Sequence, residues 1–134
     1  TQKYNLRVVN EYRTKQGLVP LRISAKLSAF ARAGSAQLAI DHDPHRHFKD
    51  AGITMFSAGF EGSAGENQGD PHGWPQMAPD EATNERLQIA DIQKAMFDEG
   101  PGEGHAHGHY RNMVNPKFRR VGIGLVTIEQ PTPR

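Results

Sequence analysis

Apolar residues recur at helical spacing in three parts of this chain and lose that spacing in a long segment between the second part and the third. In residues 4 to 16, Leu6, Val9 and the pair Tyr12/Arg13 fall on one stripe, and Gly17 stands where a helix C-terminal glycine would end it. A connector, Gly17-Leu18-Val19-Pro20-Leu21, reads as extended because the residue before a proline is pushed out of the helical region. Ser24 is a candidate N-cap for a second helix to about Ile40, with Leu27, Phe30/Ala31, Gly34/Ser35 and Leu38 on one stripe. Its small residues Ala31, Ala33, Gly34, Ser35 and Ala36 predict close packing against a neighbour, and His42-Asp43-Pro44 ends it.

From His42 to Pro79 turn formers dominate, and loops of that length in a compact domain usually serve a function. Within this segment Ile53 to Phe60 has room for a short strand or helix, and Ser63 to Asn67 is a candidate strand end. Asp80 can cap a stretch that becomes clearly helical from Leu87, where Ile89, Ile92 and Met96 recur and Glu99 follows on roughly the same side. Pro101 and its flanking glycines break that helix. A last strand is expected over Arg119 to Ile128, apolar from Val121 to Val126 as suits a strand covered on both faces, followed by a tail at 130–134.

Length and composition narrow the class. A chain of 134 residues fits one domain with one core, 1–134, and 36% hydrophobic against 23% charged residues describes a polar globular protein. Mean hydropathy is −0.69. The net charge of +1 is spread along the chain, which argues against nucleic acid or an anionic membrane as partner; the one basic cluster, Lys117/Arg119/Arg120, is short. No window approaches a transmembrane span and no signal peptide is visible at Thr1. The absence of cysteine excludes disulfides, thiolate metal sites and a cysteine nucleophile.

The candidate chemistry is histidine and carboxylate. Six of the seven histidines cluster as His42/His45/His47 and His105/His107/His109, with His72 apart. Imidazoles beside carboxylates are ordinary ligands for zinc and similar ions, although H-x-H in a loop sets no fixed geometry and the alternative is solvated loop histidines. Glu66 sits in a glycine-flanked turn. Glu99, with Glu103 as its rival, stands at a helix C-terminus, where a negative charge opposes the dipole and so points to a partner. Ser57 and Ser63 lack any nucleophile signature, and Trp74 and Met77 could form an apolar lip.

Together these features resemble a known family. Asn10-Glu11-Tyr12-Arg13, Gly17 to Leu21, the small-residue second helix ending near a histidine, Gly65-Glu66-Asn67, and Gly108-His109-Tyr110-Arg111-Asn112-Met113-Val114-Asn115-Pro116 leading to Val121-Gly122-Ile123-Gly124 are similar to the CAP superfamily (cysteine-rich secretory proteins, antigen 5 and pathogenesis-related 1 proteins; the SCP domain), in a bacterial-type form without cysteines. The resemblance implies an α+β fold, a three-layer α-β-α sandwich with a small antiparallel sheet between helices. It also implies a cleft lined by His47, Glu66, Glu99 and His109, with His45 competing for the place of His47 and His105 and His107 as accessory imidazoles. A secreted protein is implied, in which case the chain is its processed form or a trimmed piece of it. Three functions follow as expectations: a non-enzymatic module binding Zn2+ or another divalent cation, a metal-dependent hydrolase of peptidase type with Glu66 or Glu99 as general base, or a lipid- or sterol-binding module.

Overall fold

The protein is described by a computed structural model, in which residues 2–46, 66–70 and 76–125 are placed well enough to describe. Helix α1 spans Gln2–Lys15 and buries Val9 and Arg13. It ends as its sequence predicts: Gly17 takes φ +73°, a left-handed turn that a glycine adopts without steric cost, and the Leu18 amide donates back to the Arg13 carbonyl at 2.9 Å. The connector that follows is held against α1 by one side chain. Asn10 donates to the Leu21 carbonyl at 3.1 Å and accepts from the Leu21 amide at 2.7 Å, as a neighbouring strand would.

That anchoring delivers β1, Arg22–Ile23, alongside β2, Arg120–Val121. The two run parallel, with Arg22 opposite Arg120 and Ile23 opposite Val121. An antiparallel sheet was the expectation; the one strand pair among the described residues is parallel, a direction open to it because a long crossover rather than a hairpin joins its strands. The longer strand expected over 119–128 is regular only at Arg120–Val121 within the described residues, and Val126 to Ile128 lie outside them, as do Ile53 to Phe60 and Ser63 to Gly65.

Helix α2, Ala25–Asp41, starts at Ser24, whose hydroxyl accepts from the Leu27 amide at 3.3 Å, and stops at His42, which takes a left-handed φ of 54°. Its small-residue face receives the chain after β2. Ser28 Oγ accepts from the Ile123 amide at 3.2 Å, and Ser35 Oγ donates to the Gly124 carbonyl at 3.0 Å. A Cβ on Gly122 would stand 2.0 Å from the Leu27 carbonyl carbon, and one on Gly124 would stand 2.2 Å from the Arg32 amide nitrogen, so only glycine permits this approach.

Helix α3, Glu81–Phe97, begins a turn and a half before its clear periodicity because Asp80 caps it, accepting from the Thr83 amide and hydroxyl at 2.8 and 2.7 Å. It ends at Phe97, so Glu99 lies past the helix rather than in its last turn. Helix α4, Gly108–Met113, follows a short 3-10 turn at His105–His107.

Val9, Leu21, Met96 and Met113 form the buried cluster, with Tyr12 stacked on Phe97 at 4.4 Å between ring centroids and Phe97 tilted against Tyr110 at 5.3 Å. Arg13 crosses this core with no exposed surface. Its guanidinium donates to the carbonyls of Val19, Met113, Asn115 and Phe118, joining α1 to the segment after α4. No helix among the described residues is long and apolar enough to cross a membrane.

Candidate functional site

The site grows out of the break between α3 and α4. Glu99-Gly100-Pro101-Gly102 cannot continue a helix, and Gly100 takes φ +72°. The short helix α4 then begins without a side-chain cap of its own. Glu99 supplies one from outside: its Oε1 accepts from the His109 amide at 3.0 Å and the Tyr110 amide at 3.2 Å. A carboxylate that would have opposed the dipole of α3 thus faces the positive end of α4.

Its second oxygen, Oε2, lies 2.6 Å from His109 Nδ1. Partial burial raises the pKa of Glu99, but the His109 ring, the Tyr110 amide and the His109 amide together outweigh that and hold it below the usual carboxylate value. An ionised carboxylate can only accept, so the proton of a neutral His109 sits on Nδ1 and its Nε2 carries a lone pair.

A second pair faces this one. His45, in the turn after α2 with a left-handed φ of 65°, places Nδ1 3.0 Å from Glu66 Oε1, and its amide donates to the Gln68 side chain. The two imidazole centroids are 6.2 Å apart with planes inclined at 35°. Two asparagines tie the pairs together. Asn67 donates to the His109 carbonyl at 3.1 Å, and Asn112 donates to the Asn67 side-chain oxygen at 2.9 Å and the Glu66 carbonyl at 3.3 Å. Both were visible as motif residues, but nothing in the sequence marked them as the brace between the histidine-glutamate pairs.

Solvent reaches the rings more readily than the acids: the side chains of His45 and His109 are 31% and 32% exposed, those of Glu66 and Glu99 only 13% and 20%. Among the described residues neither carboxylate has a lysine or arginine partner. Nor do three histidine, aspartate or glutamate side chains among those residues gather as a ready ligand set.

The other expected site residues separate. His47, Trp74 and the side chain of His105 lie outside the described residues. Glu103 is exposed, and the carboxylate at His109 Nδ1 is that of Glu99. His107 turns to backbone carbonyls, with Nδ1 2.8 Å from Glu99 O. His42 pairs with Asp70 at 2.6 Å.

Comparison with known proteins identifies the family of the chain. The family model described as "Cysteine-rich secretory protein family" matches residues 6–131. The protein printed as "Uncharacterized protein YkwD" of Bacillus subtilis (strain 168) is 29% identical over 135 residues, covering 93% of this chain and 42% of its own length. The chain thus spans less than half of that relative. No solved structure matches it. With the match running through α1, both histidine-glutamate pairs and β2, the chain belongs to the cysteine-rich secretory protein (CAP) family, although it contains no cysteine.

Proposed function

We propose that this protein is a binding module of the CAP family whose cleft takes a divalent cation of the zinc type through Nε2 of His45 and of His109. The observation that carries the reading is the pairing of each Nδ1 with its own carboxylate, His45 with Glu66 at 3.0 Å and His109 with Glu99 at 2.6 Å. A carboxylate behind an imidazole fixes the tautomer, turns the far nitrogen into the donor and makes it more basic, which is how metal-binding histidines are commonly held.

One ion is within reach of both rings. With metal-nitrogen bonds of about 2.1 Å, two imidazoles have centroids about 5.3 Å apart at a tetrahedral angle and about 6.5 Å apart in line; from the observed 6.2 Å a tetrahedral ion would draw the rings together by about 1 Å. The two carboxylates, neither with a lysine or arginine partner among the described residues, favour a positive charge nearby. Water or residues outside the described set would complete the coordination.

An ion held this way would supply a Lewis acid with open positions, which is also the starting point of a hydrolase. Glu66 and Glu99 were the expected general bases of such an enzyme, yet each is engaged by an imidazole Nδ1, and Glu99 by two backbone amides as well. That engagement favours binding over catalysis. Secretion belongs to the same proposal and draws its support from the family.

Zinc titration by calorimetry of the wild type, His45→Ala and His109→Ala tests the reading. Heat is expected for the wild type and a loss of at least tenfold in affinity for each variant. Because an imidazole binds metal only when neutral, affinity should also fall as the pH is lowered toward about 5. A wild type that takes up no zinc, nickel or manganese at neutral pH sinks it.

A further inference from the structure

His107 is held as firmly as the two cleft histidines, but by backbone rather than by an acid. Its Nδ1 lies 2.8 Å from the Glu99 carbonyl and 3.0 Å from the Gly100 carbonyl. Both are acceptors only, so Nδ1 carries the proton and shares it between them. The other edge of the ring rests on Gly102, where a Cβ would come within 2.8 Å of both Nε2 and Cδ2. The imidazole therefore fills the space between the end of α3 and the loop that leads to α4.

Two backbone bonds also hold that loop: the Gly100 amide donates to the Phe97 carbonyl at 3.1 Å and the His107 amide to the Gly104 carbonyl at 3.3 Å. Gly100 and Gly102 flank Pro101, and glycine restricts its own backbone least of all residues. Besides the His107 clamp, Arg111 donates to the carbonyls of Gly102 and Gly104 at 3.1 and 3.0 Å, farther along the loop from Glu99. Glu99 is thus gripped at both ends from one run of four residues: its carbonyl by the His107 ring, its carboxylate by His109 and Tyr110. The three bonds to the carboxylate need it placed within about 0.5 Å. The carbonyl grip fixes the backbone from which it projects.

We infer that His107 is a positioning residue of the cleft: by clamping the Glu99 and Gly100 carbonyls it holds Glu99 in place, and through Glu99 it keeps His109 in the tautomer that offers Nε2 to a ligand. Its effect on ion affinity rests on the divalent-cation reading above, whereas its effect on the His109 ring does not.

The experiment compares His107→Ala, His107→Gln and His107→Asn with the wild type. The Asn side chain can place an N–H close to the position of Nδ1, the Gln side chain places one a carbon farther out, and Ala places none. In metal-free protein, NMR correlation of ring nitrogens with their carbon-bound protons reads the His109 tautomer, and zinc calorimetry reads the affinity. The wild type and His107→Asn should show His109 as the single Nδ1–H form. His107→Ala and His107→Gln should show mixed tautomers and bind zinc about tenfold more weakly.

Unchanged His109 signals in a folded His107→Ala variant, or an Asn variant no better than Ala, overturns the inference. If the Ala variant does not fold, the difference between Asn and Gln decides. Should the wild type bind no ion, the cation reading fails while the tautomer comparison still decides the clamp.

Discussion

Single residues carry both the site and the strongest constraint on the fold. Arg13 is a charge with no exposed surface and no carboxylate partner among the described residues; burial, with Arg119 adding to it, pushes its pKa below the usual guanidinium value. The charge is therefore a cost, and four carbonyl acceptors offset it. Arg13→Met leaves the Val19 and Met113 carbonyls without their donor, while those of Asn115 and Phe118 keep the Phe118 amide and the Arg119 guanidinium, and is expected to lower the unfolding free energy by about 3 kcal/mol, read from urea denaturation. Arg13→Lys keeps the charge but loses the planar fork, and should recover only part of it. At this scale the sequence was partly legible. Glu66, His109 and Glu99 stood out because a family motif or a helix-end charge marked them. His45 was only a competitor to His47, because two histidines spaced by one residue in a loop have no periodicity to choose between them; the structure brings the His45 ring to Glu66, and His47 lies outside the described residues. The partner that the dipole argument asked for at Glu99 is the start of the next helix together with its histidine, a through-space answer that no local spacing contains.

Elements were read best where periodicity and caps agreed. Helices α1 and α2 fall within two residues of their expected bounds because Gly17 and Ser24 mark an end and a start with their own chemistry. Helix α3 begins earlier than its apolar stripe because Asp80 overrides pattern. Its carboxyl group accepts from the Thr83 hydroxyl and amide, and these hold its pKa below the usual value. A carboxylate with a lowered folded-state pKa contributes stability that is fully present above the unfolded value of about 3.8 and is lost as the pH falls through the folded one. Asp80→Ala should therefore lower the melting temperature at pH 7, and the gap to wild type should narrow below about pH 3.5, whereas Asp80→Asn should keep most of the cap at both. The segment after β2 was the hardest to read. Its apolar run suggests a strand, but Gly122 and Gly124 serve contact with α2, where a side chain would meet helix backbone at 2.0 to 2.4 Å. Backbone cannot yield as a side-chain tip can, so Gly122→Ala is expected to cost about 1–3 kcal/mol in thermal or urea unfolding. Gly108→Ala, with nothing within 4 Å of the added carbon, should cost far less.

At the scale of the whole molecule the two cleft histidines are distant in sequence, separated by 109 − 45 = 64 positions, and are brought to 6.2 Å only by the fold. His45 comes from the turn that ends α2 and His109 from α4, whose following segment Arg13 holds to α1. An ion shared by both rings has no comparable site in the unfolded chain, so its binding free energy adds to the stability of the fold. The net charge of +1 gives little long-range attraction for a cation, so on the proposed reading the affinity would come from the two Nε2 donors and the local field of Glu66 and Glu99. At zinc one hundred times its dissociation constant the stabilisation amounts to about 2.7 kcal/mol. For a chain of 134 residues that corresponds to a rise of about 10 °C in melting temperature. The rise should fall to about half or less in His45→Ala and in His109→Ala while both variants still melt cooperatively without metal, since each ring is about a third exposed and fills no core position. A rise undiminished in both variants would place the ion elsewhere, and a rise diminished in only one would mean that the two rings do not share it.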